Sequence, residues 1–291
     1  MGNLIALLSD IHGNQEALEE VLRDVDRQRP DRIYVLGDTI GYGPDPRGCL
    51  ERVVEIADLL LIGNHEKEVL EPSDDLNDDT RETLDWTVGE LAGSPAWERL
   101  VARIRGRGFE AEACKIDDSC QFVHGSPKNP LEQYIWPAHK CQYLVFNRQI
   151  DERLGEFLTE FSELHGFFGH THAPAVLARY EDHKIFDPYK HRGLEWDRTC
   201  TFVGPTSLYV VVEDEPVIEG LAGRKVAINP GSVGQPRFVG NPDASYALYD
   251  GDTIRFRRVS YDRGKTQEKI AGLPFSEETK TWLLERLEQG K

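Results

Sequence analysis

Apolar residues form short unbroken runs in the first third of the chain and alternate with polar ones in the last third. Residues 4–8 (LIALL) are all apolar and run straight into Ser9, Asp10, Ile11 and His12. Ala17, Leu18, Val21, Leu22 and Val25 then recur at helical spacing behind Asn14, a residue suited to capping a helix. Further runs at 32–38 and 59–64 bracket a second helical pattern at 47–57. The succession β-α-β-α-β with short loops predicts parallel strands joined by right-handed crossovers. Residues 66–108 read as mostly helical, punctuated by Gly93, Pro95, Gly106 and Gly108. Strands are expected at 110–116 and 120–125, a helix over 136–161, and a short strand at 166–170. From there to about 262 the pattern has period two, as in half-buried antiparallel strands. LYDGDTIRF, residues 248–256, predicts a hairpin. Residues 263–291 read as helical with a break at Gly272 and Pro274. With no internal repeat or low-complexity linker, we expect one α/β domain over 1–291. It would carry a helical insertion at about 66–108 and a β-rich insertion at about 179–224.

Composition narrows the class. The 291 residues are 39% hydrophobic and 29% charged, which fits a folded globular chain rather than a disordered one. The formal net charge of −17 opposes any grip on extended nucleic acid, though not on a small phosphate met by local positive charge. The acidic stretch within 66–82 reads as solvated surface. No apolar run approaches the ~18 residues of a membrane span, and nothing at the N-terminus resembles a secretory signal. Cys49, Cys114, Cys120, Cys141 and Cys200 are scattered without a C-x₂-C pair. Reduced thiols and a cytoplasmic location are expected.

The chemistry gathers where the runs end. Asp10 and His12 follow the first, Asp38 the second, Asn64 and His65 the third; His124 ends a later run, and His170 and His172 another. Each alone has an ordinary explanation as a turn residue, helix cap or structural histidine. Together they put nitrogen and oxygen donors at five strand ends, and the carboxyl ends of strands in an open α/β sheet line one crevice. Such donors without cysteine suit Mn²⁺, Fe or Zn²⁺. They are too many for one ion with open positions. Two ions ~3.5–4 Å apart, bridged by one carboxylate, would use them all.

In this order, D-x-H (Asp10, His12), G-D (Gly37, Asp38), G-N-H-E (residues 63–66), His124 followed by Gly, and G-H-x-H (residues 169–172) resemble the calcineurin-like metallophosphoesterases. The resemblance covers about residues 4–262. It implies a four-layer αββα sandwich of two mixed sheets flanked by helices. It also implies that Asp10, His12 and His172 hold one metal, that Asn64, His124 and His170 hold the other, and that Asp38 bridges them. His65 would stabilise the transition state or protonate the leaving oxygen. The reaction implied is in-line attack on phosphorus by a metal-bridging hydroxide, with Asp38 and His65 as its catalytic residues.

Within that family, the protein Ser/Thr phosphatases typically carry GD-x-V-DRG and an Arg before G-N-H-E. Here Gly41-Tyr42-Gly43 replaces the DRG and Ile62 takes the Arg position. GDTIGYGPDP, HGSPKNPLEQY and INPGSVGQPR instead resemble a bacterial and archaeal branch of small phosphoesterases, some described as phosphodiesterases or dinucleoside polyphosphate hydrolases. The expected activity is hydrolysis of small phosphodiesters or nucleotide polyphosphates. The alternatives are a phosphomonoesterase or protein phosphatase, and a non-catalytic metal-binding scaffold of the same fold. Tyr42, Arg47 and Arg237 are the candidate substrate contacts, and Gly231 and Ser232 a turn under the metals. His139, His165, His183 and His191 match no ligand position. The segment with Tyr180, Phe186, Tyr189 and Trp196 reads as an extended hairpin, with a lid or an oligomer contact as alternatives, and a homo-oligomer stays open.

Overall fold

Side-chain alternation assigns the layers. In β1 (Ile5–Leu8), Ile5 and Leu7 enter one core while Ala6 and Leu8 enter another, because successive strand residues point to opposite faces. The structure, a computed structural model, describes residues 3–117, 119–134, 148–182, 201–203, 207–211, 215–237 and 241–290.

α1 (Gln15–Gln28) leads to β2 (Arg32–Leu36), and α2 (Pro46–Ile56) leads to β3 (Leu59–Leu61). Asn14 caps α1, its side chain accepting from the Ala17 amide at 3.2 Å. The three strands are parallel, as the β-α-β-α-β pattern requires. Four helices follow: α3 (Asn64–Leu70), α4 (Asp78–Leu91), α5 (Pro95–Arg107) and α6 (Phe109–Ala113). β4 (Cys114–Asp117) and β5 (Cys120–Val123) begin a second sheet, and α7 (Arg148–Glu160) precedes β6 (His165–Phe168). The β-rich half supplies β7 (Ala175–Arg179), β8 (Thr201–Val203), β9 (Ser207–Val211), β10 (Val217–Ile218), β11 (Val226–Asn229), β12 (Ala244–Tyr249) and β13 (Ile254–Val259). α8 (Arg263–Ala271) and α9 (Glu277–Gln289) close the described chain.

One sheet has the order β10-β13-β12-β1-β2-β3, the other β4-β5-β6-β11-β7-β9-β8. Each mixes parallel and antiparallel pairs. Between them lies a core of Ile5, Leu7, Tyr34 and Leu36 against Phe122, Phe167, Val176 and Ile228. α1 and α2 cover the outer face of the first sheet through Val21, Leu22 and Val53. α7 covers the second through Phe157 and Leu158. The result is the four-layer αββα sandwich.

Four details differ from the sequence reading. Residues 109–113 form a turn of helix rather than a strand: Glu and Ala are strong helix formers, and helical winding sets the buried Glu112 carboxylate against Arg103, Arg107 and Lys115. α5 runs through Gly106 and stops at Gly108, whose φ of 86° is open to glycine without steric cost. The short edge strands β8 and β10 had no alternation long enough to read. The third apolar run stops being a strand at Leu61, and Asn64 opens α3.

α9 folds back over the loop after β2. Ile270, Phe275, Leu283 and Leu287 bury against Tyr42, Trp86 and Trp282, while Thr279 and Ser276 bond Asp79 and Glu82 of α4. Cys49, Cys114 and Cys120 are free thiols. Among the described residues no helix is long and apolar enough to cross a membrane. Cys141, Cys200, His139, His183, His191, Phe186, Tyr189, Trp196 and the first part of the expected 136–161 helix lie outside the described residues.

Candidate metal centre

Every chemical group singled out at a strand end lies within a few residues of its strand's last ladder position. The loops carrying them are laced together by backbone: Asp10 N–H donates to Gly37 O at 3.1 Å and His12 N–H to Asp38 O at 2.9 Å. Asp10, His12, Asp38, His170 and His172 all have φ between 49° and 65°. For residues other than glycine that region is strained, at about 1–3 kcal/mol each when the surroundings enforce it. This is a cost at five positions that bear the candidate ligands, borne by the rigid sheets beneath them.

Glycine makes the convergence sterically feasible. A Cβ on Gly63 would overlap Asp38 Oδ1. The fully buried segment 229–235 forms a cradle beneath the loops. Asn229 Nδ2 donates to Gly169 O and Thr171 Oγ1 at 2.8 and 2.7 Å. Ser232 Oγ donates to Asp10 O at 2.7 Å.

The side chains form two groups that share Asp38. Asp10, His12, Asp38 and His172 present ligand atoms within 4.8 Å of one another, and so do Asp38, His124 and His170. Asn64 Oδ1 joins the second group, 3.1 Å from His124 Nε2. His12 Nδ1 faces Ile40 O at 3.3 Å, His124 Nδ1 faces Leu36 O at 2.9 Å, and His172 Nδ1 faces Gln235 O at 2.8 Å. A carbonyl can only accept, so each Nδ1 carries a hydrogen and each Nε2 faces the cluster, as a lone pair in His12 and His172, whose burial disfavours the charged ring. Yet His12 Nε2 and His172 Nε2 lie 3.0 Å apart. His124 Nε2 lies 3.2 Å from His170 Nδ1 and 3.4 Å from Asp38 Oδ2. Two lone pairs face each other in the His12–His172 pair, and in a dry interior they repel unless positive charge sits between them. The donor set therefore fits divalent cations, with second-sphere carbonyls orienting three of the imidazoles.

The electrostatics agree. Burial pushes the Asp10 carboxyl up to about 7 and holds His12, His170 and His172 well below the usual imidazole value. Asp38 is opposite: burial would raise it, but the imidazoles of His124, His65 and His12 hold it well below the carboxylate range. His124 is raised against its own burial to about 9 by the Asp38 charge and hydrogen bond. Without metal, the proton on His124 is the positive charge Asp38 attracts.

The sequence profile of the calcineurin-like phosphoesterases matches residues 4–174. The chain belongs to that family. An uncharacterized protein of Methanocaldococcus jannaschii is similar to this phosphoesterase, 30% identical over 298 residues and 99% of each chain. A metallophosphoesterase from Sphaerobacter thermophilus is similar in structure, with a TM-score of 0.72 and 30% identity over 100% of both chains. A hypothetical protein from Pyrococcus horikoshii shares the fold at a TM-score of 0.63 and 18% identity, over 99% of this chain and 98% of that one.

In this phosphoesterase His65 is buried beside the cluster. Its backbone N–H donates to Asp38 Oδ1 at 2.9 Å, and its ring lies 4.7 Å from that of His12. Its Nδ1 has no hydrogen-bond partner and faces Gly41, where a Cβ would overlap it. Burial lowers its pKa. Tyr42 packs on His12 and His65 with ring centroids 4.7 and 4.3 Å apart. Arg237 follows the cradle, its N–H donating to His172 O at 3.3 Å and its Nη1 to Tyr134 Oη at 3.1 Å. Arg47 is not brought into the cluster. Its guanidinium donates to Glu51 at 3.0 Å and to Gly93 O at 3.3 Å on the exposed side of α2. A helix start placed it well, but its long side chain turned to the nearest carboxylate, four residues on. His165 bonds Tyr249 and Leu221 O at the opposite strand ends, a structural role.

Glu66 is a residue that carried no assigned role in the sequence reading. Its buried carboxylate accepts from the amides of Gly63, Thr39, Asp38 and Ile40 at 2.7, 2.8, 3.1 and 3.3 Å. It thus ties the β2 and β3 loops together. The signal was its place in G-N-H-E. Gln235, Tyr134 and Arg286 also border the site, and only the first two lie in the quoted motifs.

Proposed function

We propose that this phosphoesterase is a two-metal hydrolase of small phosphodiesters or nucleotide polyphosphates. The observation that carries the reading is the pair of ligand groups sharing Asp38. Asp10, His12, Asp38 and His172 would hold one ion, and Asp38, Asn64, His124 and His170 the other. Bound divalent ions supply Lewis acidity toward phosphoryl oxygens and lower the pKa of coordinated water to ~7. Mn²⁺, Fe and Zn²⁺ all suit the donor set.

The protein's own contribution is orientation and proton delivery. The second-sphere carbonyls of Ile40, Leu36 and Gln235 fix three imidazoles with Nε2 inward. Glu66 holds Asp38 and the start of α3 in register, which aligns His65 beside the cluster. His65 stands buried beside the cluster, its backbone anchored on Asp38, where it would stabilise the transition state or, when protonated, donate to the leaving oxygen. Burial of the whole set excludes bulk water and strengthens every charge interaction within it. The hydrophobic Ile62 before G-N-H-E, where protein phosphatases carry Arg, supports small substrates over phosphoproteins. A net charge of −17 supports a small phosphorylated partner over extended nucleic acid, and free thiols support a cytoplasmic setting.

The test is a hydrolysis panel on protein stripped of metal and reloaded with Mn²⁺. It comprises bis(p-nitrophenyl) phosphate, p-nitrophenyl phosphate, a phosphopeptide and a dinucleoside tetraphosphate. Diester or polyphosphate turnover that needs metal supports the reading. Turnover confined to the phosphopeptide would replace it with a protein phosphatase, and metal binding without turnover with a scaffold.

A further inference from the structure

Two arginines border the metal cluster without a carboxylate partner. Arg237 and Arg286 form no ion pair among the described residues, in a chain with 51 Asp and Glu against 34 Lys and Arg. Arg237 Nη1 donates to Tyr134 Oη, while its buried Nε has no partner among the described residues. Tyr134 in turn lies 3.9 Å, ring to ring, from His170. Arg286 comes from the other side, on α9. Its guanidinium lies 4.0 Å over the Trp282 ring and 5.9 Å from that of Tyr42, which packs on His12 and His65. Among the described residues its guanidinium bonds Gln235 Oε1, at 3.3 Å, and the Gln235 backbone carbonyl orients His172. Each arginine therefore stands one aromatic residue away from a candidate metal ligand.

The two arginines are joined through one loop. Arg286 bonds the side chain of Gln235, two residues before Arg237, so both arginines meet the same loop beside the cluster. Holding two like charges in partly buried positions at one loop, with no carboxylate in ion-pair contact among the described residues, is unfavourable unless an anion supplies the missing charge. Guanidinium groups match phosphate oxygens in shape, and stacking on aromatic faces fixes their planes. Ions held by Asp10, His12, Asp38, Asn64, His124, His170 and His172 would neutralise the phosphoryl group being cleaved. A simple organic diester would leave both arginines with nothing to meet.

We propose that Arg237 and Arg286 form an anion subsite that takes the phosphate next to the one being cleaved, so that the substrate carries at least two linked phosphates. This rests on the phosphoesterase reading and deepens it. It also gives α9, which lies beyond the family-matched residues 4–174, a part in specificity.

The experiment is calorimetric titration of the Mn²⁺-loaded protein, at fixed free Mn²⁺, with methylenediphosphonate and with methylphosphonate. The bridge of the first cannot be hydrolysed, so binding is read without turnover. The bisphosphonate should bind at least about 100-fold more tightly, and Arg286→Gln should remove about 10-fold or more of that preference, a charge-assisted contact's share. Arg286→Lys should restore part of it. Arg237→Gln should act in the same direction; if it does not fold, the Arg286 variants decide. Equal affinity for the two ligands, or an equal loss of both in Arg286→Gln, overturns the proposal. Turnover of bis(p-nitrophenyl) phosphate by the same preparation reports separately on the phosphoesterase reading.

Discussion

Glu66→Gln tests how the centre is held. The carboxylate accepts four backbone amides, two on each oxygen: Gly63 and Asp38 on Oε2, Thr39 and Ile40 on Oε1. Glutamine keeps the volume but turns one acceptor into an amino group, so two buried N–H groups then face a donor. Each unmet group costs about 1–3 kcal/mol, or about 2–6 kcal/mol for the pair. Burial and the Asp38 charge push the Glu66 carboxyl up to about 7, so neutralising it relieves some repulsion. That offset favours the lower half, about 2–4 kcal/mol. The assay is equilibrium urea unfolding of metal-free protein, with bound metal counted after reloading. For an m-value of about 3 kcal/mol/M the midpoint should fall by about 0.7–1.3 M, and metal occupancy should fall with it. A shift under about 0.3 M with full occupancy would refute the view that Glu66 ties the two loops.

Three further outcomes follow from the site. His65→Ala should lower kcat on bis(p-nitrophenyl) phosphate by about 10²–10⁴ while metal content, read by elemental analysis, stays at the wild-type level. Metal binding should release protons, because a ligand must be bare to bind. His124, raised to about 9, holds its proton at pH 8, whereas Asp10, at about 7, has mostly lost its own. Log affinity should thus climb about one unit per pH unit from 7 to 9, flatten above, and steepen below 7, as calorimetry in two buffers of different ionisation enthalpy would reveal. A flat profile would sink the assignment of that proton. Gly63→Ala should displace the Asp38 carboxylate, which a Cβ would overlap, and cost metal occupancy while circular dichroism stays native.

Much of the fold and of the clustering was legible in the sequence because strand ends and candidate ligands coincide. The parallel β1, β2 and β3 announced themselves as apolar runs, and each run stopped at a group that the crevice collects. Asn14, Gly108 and the 248–256 hairpin followed local rules that tertiary structure did not override. What escaped was non-local. The E-A-E-A segment has strand period, and the cations from α5 and β4 around Glu112 add to its helix propensity to make a helical turn preferable. Glu66 looks like any helix-start acid until four amides from two loops surround it. Arg286 lies in an ordinary amphipathic helix, and its approach to Tyr42 depends on how α9 folds back. Arg47 lies away from the cluster for the converse reason: Glu51, one helical turn away, holds its side chain.

The central claim is that one carboxylate, Asp38, is shared by two ions. The most direct measurement is metal stoichiometry by elemental analysis of protein stripped with chelator and dialysed against Mn²⁺, for wild type and Asp38→Ala, with bis(p-nitrophenyl) phosphate turnover recorded on each sample. The account predicts two ions per wild-type chain, turnover that rises as the second ion binds, and loss of both in Asp38→Ala. Two ions retained in Asp38→Ala, or full wild-type turnover with none bound, would contradict it.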